Sequence, residues 1–162
     1  MTMIANTFEN KKFNFRVGAF VFDKSNNYVL LHRKINSNYW MLPGGRVEYG
    51  ESTDEAISRE LKEELGLNIS GQLTLITENF FENGNLKTHE IDFDFLCNYN
   101  EIISNEFEFS GLEGKYLIFK WVRKENIDNY NLIVKSEKDF IKDYINCGCN
   151  EIKKKVLKAG EW

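Results

Sequence analysis

The stretch GRVEYGESTDEAISRELKEELGL, Gly45–Leu67, gathers Glu51, Arg59, Glu60, Glu63 and Glu64 between a glycine pair and a closing Gly66. Laid on a helix at 3.6 residues per turn, Glu60, Glu63 and Glu64 are related by i+3 and i+4 and share one face. Like charges at i,i+4 cost a helix roughly 0.2–0.5 kcal/mol per pair. Arg59, next to Glu60 and four residues before Glu63, relieves part of the repulsion and cannot neutralise three acids. A divalent cation would. Ile57, Leu61 and Leu65 repeat at i+4 on the neighbouring arc, which sets the acid row at the edge of a buried stripe. Taken alone, ELKEEL is also an ordinary solvated helix surface, so the company it keeps has to separate the two readings.

That company is ordered. Ser52 with Glu55 three residues on is a capping box, and Asp54 adds negative charge to the first turn, so the helix is expected over Thr53–Leu65 with Gly66 as its stop. Upstream, Pro43, the only proline in the chain, stiffens the entry to Gly44-Gly45, where the backbone can approach a ligand closely. Gly45, five residues, Glu51, seven residues, Arg59-Glu60, apolar Leu61, any residue, Glu63-Glu64, any residue, Gly66 and apolar Leu67 match without a departure the signature of the Nudix (MutT-like) hydrolases. The chain is identified on these nine specified positions as similar to that family.

The resemblance implies an α/β fold, the Nudix-type α/β/α sandwich with a mixed, partly antiparallel sheet. It also implies hydrolysis of the pyrophosphate linkage of a nucleoside diphosphate joined to another group. In similar proteins the positions of Glu63 and Glu64 bind metal, that of Glu60 binds metal or acts as base, and that of Arg59 orients the neighbouring acid. Glu51 is expected as a further ligand or as its support, and the Gly44 carbonyl as another oxygen. Mg²⁺ is the expected ion, with Mn²⁺ as its substitute, because hard cations take carboxylate and carbonyl oxygens. Many such enzymes recruit one more carboxylate from a loop, for which Glu113 is chosen ahead of Glu106 and Glu108. The substrate is not carried by the signature. A non-catalytic nucleotide sensor and a hydrolase of RNA 5′ ends are the rival readings, and similar proteins are often homodimers.

Length and composition frame this. At 162 residues, 42% hydrophobic and 28% charged, the chain suits one globular domain spanning 1–162. A net charge of −4 gives no basic field for a nucleic acid polymer, so a small-molecule nucleotide is the expected partner. Lys153-Lys154-Lys155 is the local exception. Cys97, Cys147 and Cys149 are too few for a disulfide framework or a four-ligand zinc site, and reduced thiols in a cytoplasmic protein are the default. No run approaches eighteen apolar residues, so no membrane span is expected.

Around the signature the pattern is mostly strand. Phe13–Phe22 alternates, Asp23–Asn27 is turn chemistry and Tyr28–Arg33 follows, which reads as a hairpin. His32 reads as a packed or surface histidine. Arg33, just where cations would meet a phosphate, is a substrate-binding candidate beside its plainer reading as a solvated charge. A second hairpin runs from Leu73 to Phe81, turns at Asn83-Gly84-Asn85 and returns over Thr88–Tyr99. Glu90, Asp92 and Asp94 form an acidic row on its return strand, expected to face water. Phe80, with Trp40, Phe81 and Trp121, is a candidate for stacking a base, or is core. Asn100–Lys115 reads as a loop, Tyr116–Val122 as a strand, Ser136–Ile145 as an amphipathic helix, and the tail from Glu151 as a short strand or a frayed end.

Overall fold

The computed structural model describes residues 2–112, 116–144 and 151–157. Its strands are β1 (Ala5–Phe8), β2 (Lys11–Phe22), β3 (Tyr28–Lys34), β4 (Gly44–Arg46), β5 (Gly71–Asn83), β6 (Leu86–Asn98), β7 (Phe107–Ser110), β8 (Leu117–Arg123) and β9 (Lys153–Leu157). The helices are α1 (Thr53–Leu65) and α2 (Lys135–Asp143), and a 3-10 segment covers Lys124–Asn129. The sheet runs β7-β8-β3-β2-β6-β5-β9, with β1 and β4 also on β2. It is mixed: β2 lies parallel to β6 and β5 parallel to β9, while the other pairs are antiparallel.

Alternation along the central strands gives each face its own core. Val17, Ala19, Val21, Phe95 and Cys97 pack with Ala56, Ile57 and Leu61 of α1. Phe20, Phe22, Leu31 and Leu75 pack with Phe140 and Ile141 of α2. The sheet is therefore covered on both sides, which is the expected α/β/α sandwich.

Two departures from the sequence reading shape the site. The first hairpin closes only at Phe22 and Val29, beyond which β2 and β3 part. The chain from Trp40 to Arg46 fills the gap: His32 and Met41 exchange backbone hydrogen bonds at 2.9 and 2.8 Å, Ala19 N–H donates to the Pro43 carbonyl at 2.9 Å, and β4 pairs with Arg16–Gly18. The Pro-Gly-Gly turn is thus a wedge of the sheet rather than a free loop. The second departure is the acidic row. Asp92 and Asp94 are 6% and 0% exposed, because alternation turns them to the α2 face and α2 closes over them. The expectation that they face water is corrected.

Smaller differences are β1, β7 within the stretch read as a loop, and the 3-10 segment. The tail takes the strand reading as β9. Ile145, Cys147, Cys149 and Glu113 lie outside the described residues. Among the described residues no helix is long and apolar enough to cross a membrane.

Candidate active site

The helix that carries the signature is held at both ends. Glu55 N–H donates to Ser52 Oγ at 3.3 Å, and Ser52 N–H donates to Glu55 Oε2 at 2.7 Å, which completes the capping box. Gly66, left-handed at φ 70°, donates its N–H to the Lys62 carbonyl at 2.9 Å. Ala56, Ile57 and Leu61 are fully buried, so the helix cannot roll without exposing core, and the acid row is fixed at the margin.

Arg59 organises that margin. Its Nη2 donates to Glu51 Oε1 at 2.7 Å and its Nε to Glu51 Oε2 at 3.1 Å, a two-point grip. Nη1 reaches Glu60 Oε1 at 2.9 Å and Glu63 Oε2 at 3.2 Å, and Nη2 also reaches the Arg46 carbonyl at 3.1 Å. One planar guanidinium thus collects three carboxylates and ties them to the end of β4. These contacts act back on both partners. Hydrogen bonding from Arg59 holds the Glu51 carboxyl below the usual carboxylate range, and hydrogen bonding to Glu51 foremost raises Arg59. Both stay ionised near neutrality.

The glycine turn meets the acids directly. A Cβ on Gly45 would overlap the Glu60 carboxylate as it is now placed, so the bare backbone leaves the room that this group occupies between β4 and α1. Gly44, at φ 143°, lies against the Val17 carbonyl, where a Cβ would also collide. Glu64, 5% exposed, has its Oε1 at 4.0 Å from His32 Nδ1. Burial, aided by the charge of Arg16, lowers the His32 pKa to about 4. The imidazole is neutral at pH 7, so it packs beside Glu64 without compensating its charge.

The donor set suits a divalent cation. Glu51, Glu60, Glu63 and Glu64 offer only oxygens, among the described residues a single arginine is shared by three of them, and Glu60 is seated on a cradle that any side chain at position 45 would fill. The chemistry of these residues fits the divalent metal that the family resemblance implies.

The other sequence candidates lie apart from this cluster. Arg33 points to the α2 face, its guanidinium 5.2 Å from the Trp40 ring and 3.8 Å from Glu108. Phe80 stacks on His89 with ring centroids 4.2 Å apart, near the β5–β6 turn. Trp40 and Trp121, 9% and 4% exposed, are core. Glu106 is engaged by Arg123 N–H, Asn126 and the Tyr130 hydroxyl at 2.8–2.9 Å, which is a local brace. Glu108 lies 3.6 Å from Lys120 as well as near Arg33. Leu112 N–H donates to the Glu64 carbonyl at 2.7 Å, which brings the chain just before Glu113 to the end of α1.

Sequence reasoning missed the group on the other face: Asp92 and Asp94 with Glu137 of α2, whose carboxylates offer one oxygen each within 4.8 Å of one another. The period-2 spacing of the two aspartates marks their shared face, but nothing local says that a distant helix brings a third acid onto it.

Comparison with known proteins agrees with this architecture. The chain is 35% identical over 71 residues to an 8-oxo-dGTP diphosphatase of Proteus vulgaris, covering 42% of this chain and 62% of that one. It is 31% identical over 119 residues to Nudix hydrolase 6 of Arabidopsis thaliana, covering 70% of this chain and 40% of that one. The chain thus spans less than two thirds of the length of these curated relatives. A mutator MutT protein from Bacillus halodurans has the same fold, with a TM-score of 0.62, 22% identity and 90% of both chains covered. The NUDIX domain model matches residues 12–144, and the chain belongs to the Nudix family.

Proposed function

We propose that this protein is a metal-dependent hydrolase that cleaves the pyrophosphate linkage of a small nucleotide, a nucleoside diphosphate joined to a further group, by attack of water on phosphorus. The observation that carries the reading is the Arg59 fan: one guanidinium holding Glu51, Glu60 and Glu63 beside buried Glu64 and against the backbone of Gly45.

Glu60, Glu63 and Glu64, with the Gly44 carbonyl and Glu51 in support, would hold Mg²⁺ or, in its place, Mn²⁺. The chemistry such an ion supplies is neutralisation of phosphate charge and acidification of water. The protein's own share is positional. Arg59 fixes its carboxylates in one arrangement before substrate arrives, so that less ordering is left to the reaction. A carboxylate of this set, or Glu113, which follows Leu112 in the chain, takes the proton of the attacking water, a contribution of ~10²–10⁴-fold. Neutral His32 packs beside Glu64 without adding a positive charge there. Arg33 and Phe80 stand outside this cluster and are proposed as contacts for the more distant parts of the substrate.

The test is release of phosphate, pyrophosphate or nucleoside monophosphate from a panel of nucleoside triphosphates, nucleoside diphosphate sugars and 5′-triphosphate RNA, with Mg²⁺, with Mn²⁺ and with EDTA. Metal-dependent turnover of a small nucleotide is the expected result. Binding without turnover on any member would make the protein a sensor, and turnover on RNA alone would move the substrate to nucleic acid 5′ ends.

A further inference from the structure

The face of the sheet opposite the signature carries a second set of acids. Along β6, Glu90, Asp92 and Asp94 pair in register with Asn14, Arg16 and Gly18 of β2, while Glu90 and Asp92 pair with Asn79 and Thr77 of β5. Directly opposed residues present their side chains to the same face, so these form one polar patch. Over it lies α2, which adds Ser136 and Glu137, 6% and 4% exposed, with Thr77 Oγ1 3.5 Å from Ser136 Oγ.

The patch is short of donors and of positive charge. Asp92 Oδ1, both oxygens of Asp94 and Glu137 Oε2 have no hydrogen-bond partner among the described residues. Asn79, which is 1% exposed and not an acid, has neither its amide oxygen nor its amide nitrogen partnered, and Asn14 Oδ1 is in the same position. Among the described residues the only cation against the cluster is Arg16, 3.7 Å from Asp92. Burial of this many acceptors without compensation is costly, and the ligand that relieves it must bring positive charge or donors.

The geometry separates these two. Oxygens of Asp92, Asp94 and Glu137 lie within 4.8 Å of one another, the span between opposite ligands of a single ion with bonds of ~2.4 Å. All three oxygens are thus within reach of one ion, whereas a flat heterocycle would call for acceptors spread along its edge. A cavity of about 170 Å³, lined by Arg16, Met41, Phe81, Asp92 and Glu137, opens beside them and gives access from solvent. Carboxylate and amide oxygens select a hard cation.

We propose that Asp92, Asp94 and Glu137 form a second divalent-cation site, on the α2 face of the sheet and separate from the signature carboxylates on the α1 face. An ion of the size of Ca²⁺ or Mn²⁺ fits the spacing. It ties α2 to β6 and neutralises the wall of the adjoining cavity, so that it acts on the shape and charge of that cavity and not on the signature site.

Metal-stripped protein titrated with Mn²⁺, free ion followed by electron paramagnetic resonance, tests this. Two classes of site are expected in the intact chain. The double variant Glu63→Gln/Glu64→Gln, which leaves the α2 face untouched, should keep one class, and Asp94→Asn/Glu137→Gln should lose that class while keeping the other. In EDTA the latter variant should melt at or above the intact chain, and added Ca²⁺ should raise the melting temperature of the intact chain but not of the variant. Loss of all Mn²⁺ binding in Glu63→Gln/Glu64→Gln overturns the proposal whether or not the α2-face variant folds. So does a nucleotide that stabilises the Glu63→Gln/Glu64→Gln protein when no cation does, since the patch is then a heterocycle pocket. A cluster that only takes up protons, with Ca²⁺ leaving the melting temperature of the intact chain unchanged, overturns it as well.

Discussion

The two faces of the sheet hold comparable numbers of carboxylates and treat them in opposite ways. On the α1 face, Glu51, Glu60 and Glu63 are shared out among the donors of one arginine at 2.7–3.2 Å, and Glu51 is held more acidic than usual. On the α2 face, Arg16 stands 3.7 Å from Asp92 alone, and burial pushes Asp92 up to about 6 and Asp94 and Glu137 well above their ordinary values. Proximity of acids is therefore not the common factor. A guanidinium in hydrogen-bonding geometry keeps a crowded carboxylate ionised and ready for metal and phosphate chemistry, whereas one at a distance leaves burial to decide.

The largest effect that would break the comparison belongs to Glu64. Glu64→Gln keeps shape and removes a charge that neutral His32 does not offset, so turnover should fall by ~10³-fold while the melting curve is retained. Steady-state assay on the best member of the nucleotide panel checks it, and activity within a few-fold of the intact enzyme would mean that the α1 face is not the site. Next is Arg59→Ala, which leaves Glu51, Glu60 and Glu63 mutually repelling. A loss of roughly 10- to 100-fold is expected, with the Glu51 carboxyl returning toward its ordinary range in an NMR titration. Arg59→Lys should recover little, because an ammonium cannot grip Glu51 at two points. Gly45→Ala drives a methyl into the Glu60 carboxylate and should cost about 1–3 kcal/mol in urea unfolding, with activity reduced in parallel. Equal stability of that variant would mean that Glu60 is free to move aside.

How much of this contrast was legible before any coordinates follows from the range of each interaction. The α1 face is local: the Ser52–Glu55 box, the Gly66 stop and the i+3 and i+4 spacing of the acids are all contained in Gly45–Leu67, and the helix has the expected bounds Thr53–Leu65. The contacts from Arg59 to Glu60 and Glu63 were equally predictable. The α2 face is long-range. Asp92 and Glu137 are 45 positions apart in the chain, and α2 had to be docked before either was known to be buried. The same reason accounts for β4 and β7. Three and four residues long, they become strands because β2 and β8 offer them edges, a property of the partner rather than of the segments. Arg33 is an intermediate case, since its strand was foreseen but the face it takes was not.

The smallest effect is the most direct reading of the contrast, since it compares the protonation of one face with that of the other. Asp92, with a folded pKa of about 6 against an ordinary 3.8, binds more protons folded than unfolded across that window. Its stabilisation is present below pH 3.8 and is lost as the pH rises through about 6, and Asp94 and Glu137, both raised, add slopes of the same sign. His32, lowered from 6.5 to about 4, has the reverse sign: the unfolded chain binds its proton first, so stability falls as the pH drops from 6.5 toward 4. In metal-free protein the two trends oppose each other between about pH 4 and 6. Asp94→Asn removes an acid from the α2 face and leaves His32 in place. Relative to the intact chain it should therefore gain more stability at pH 7.5 than at pH 4.5, read from urea unfolding in EDTA. A gain that is the same at both pH values would show that Asp94 carries no excess proton in the folded state, and the two faces would then differ in geometry alone.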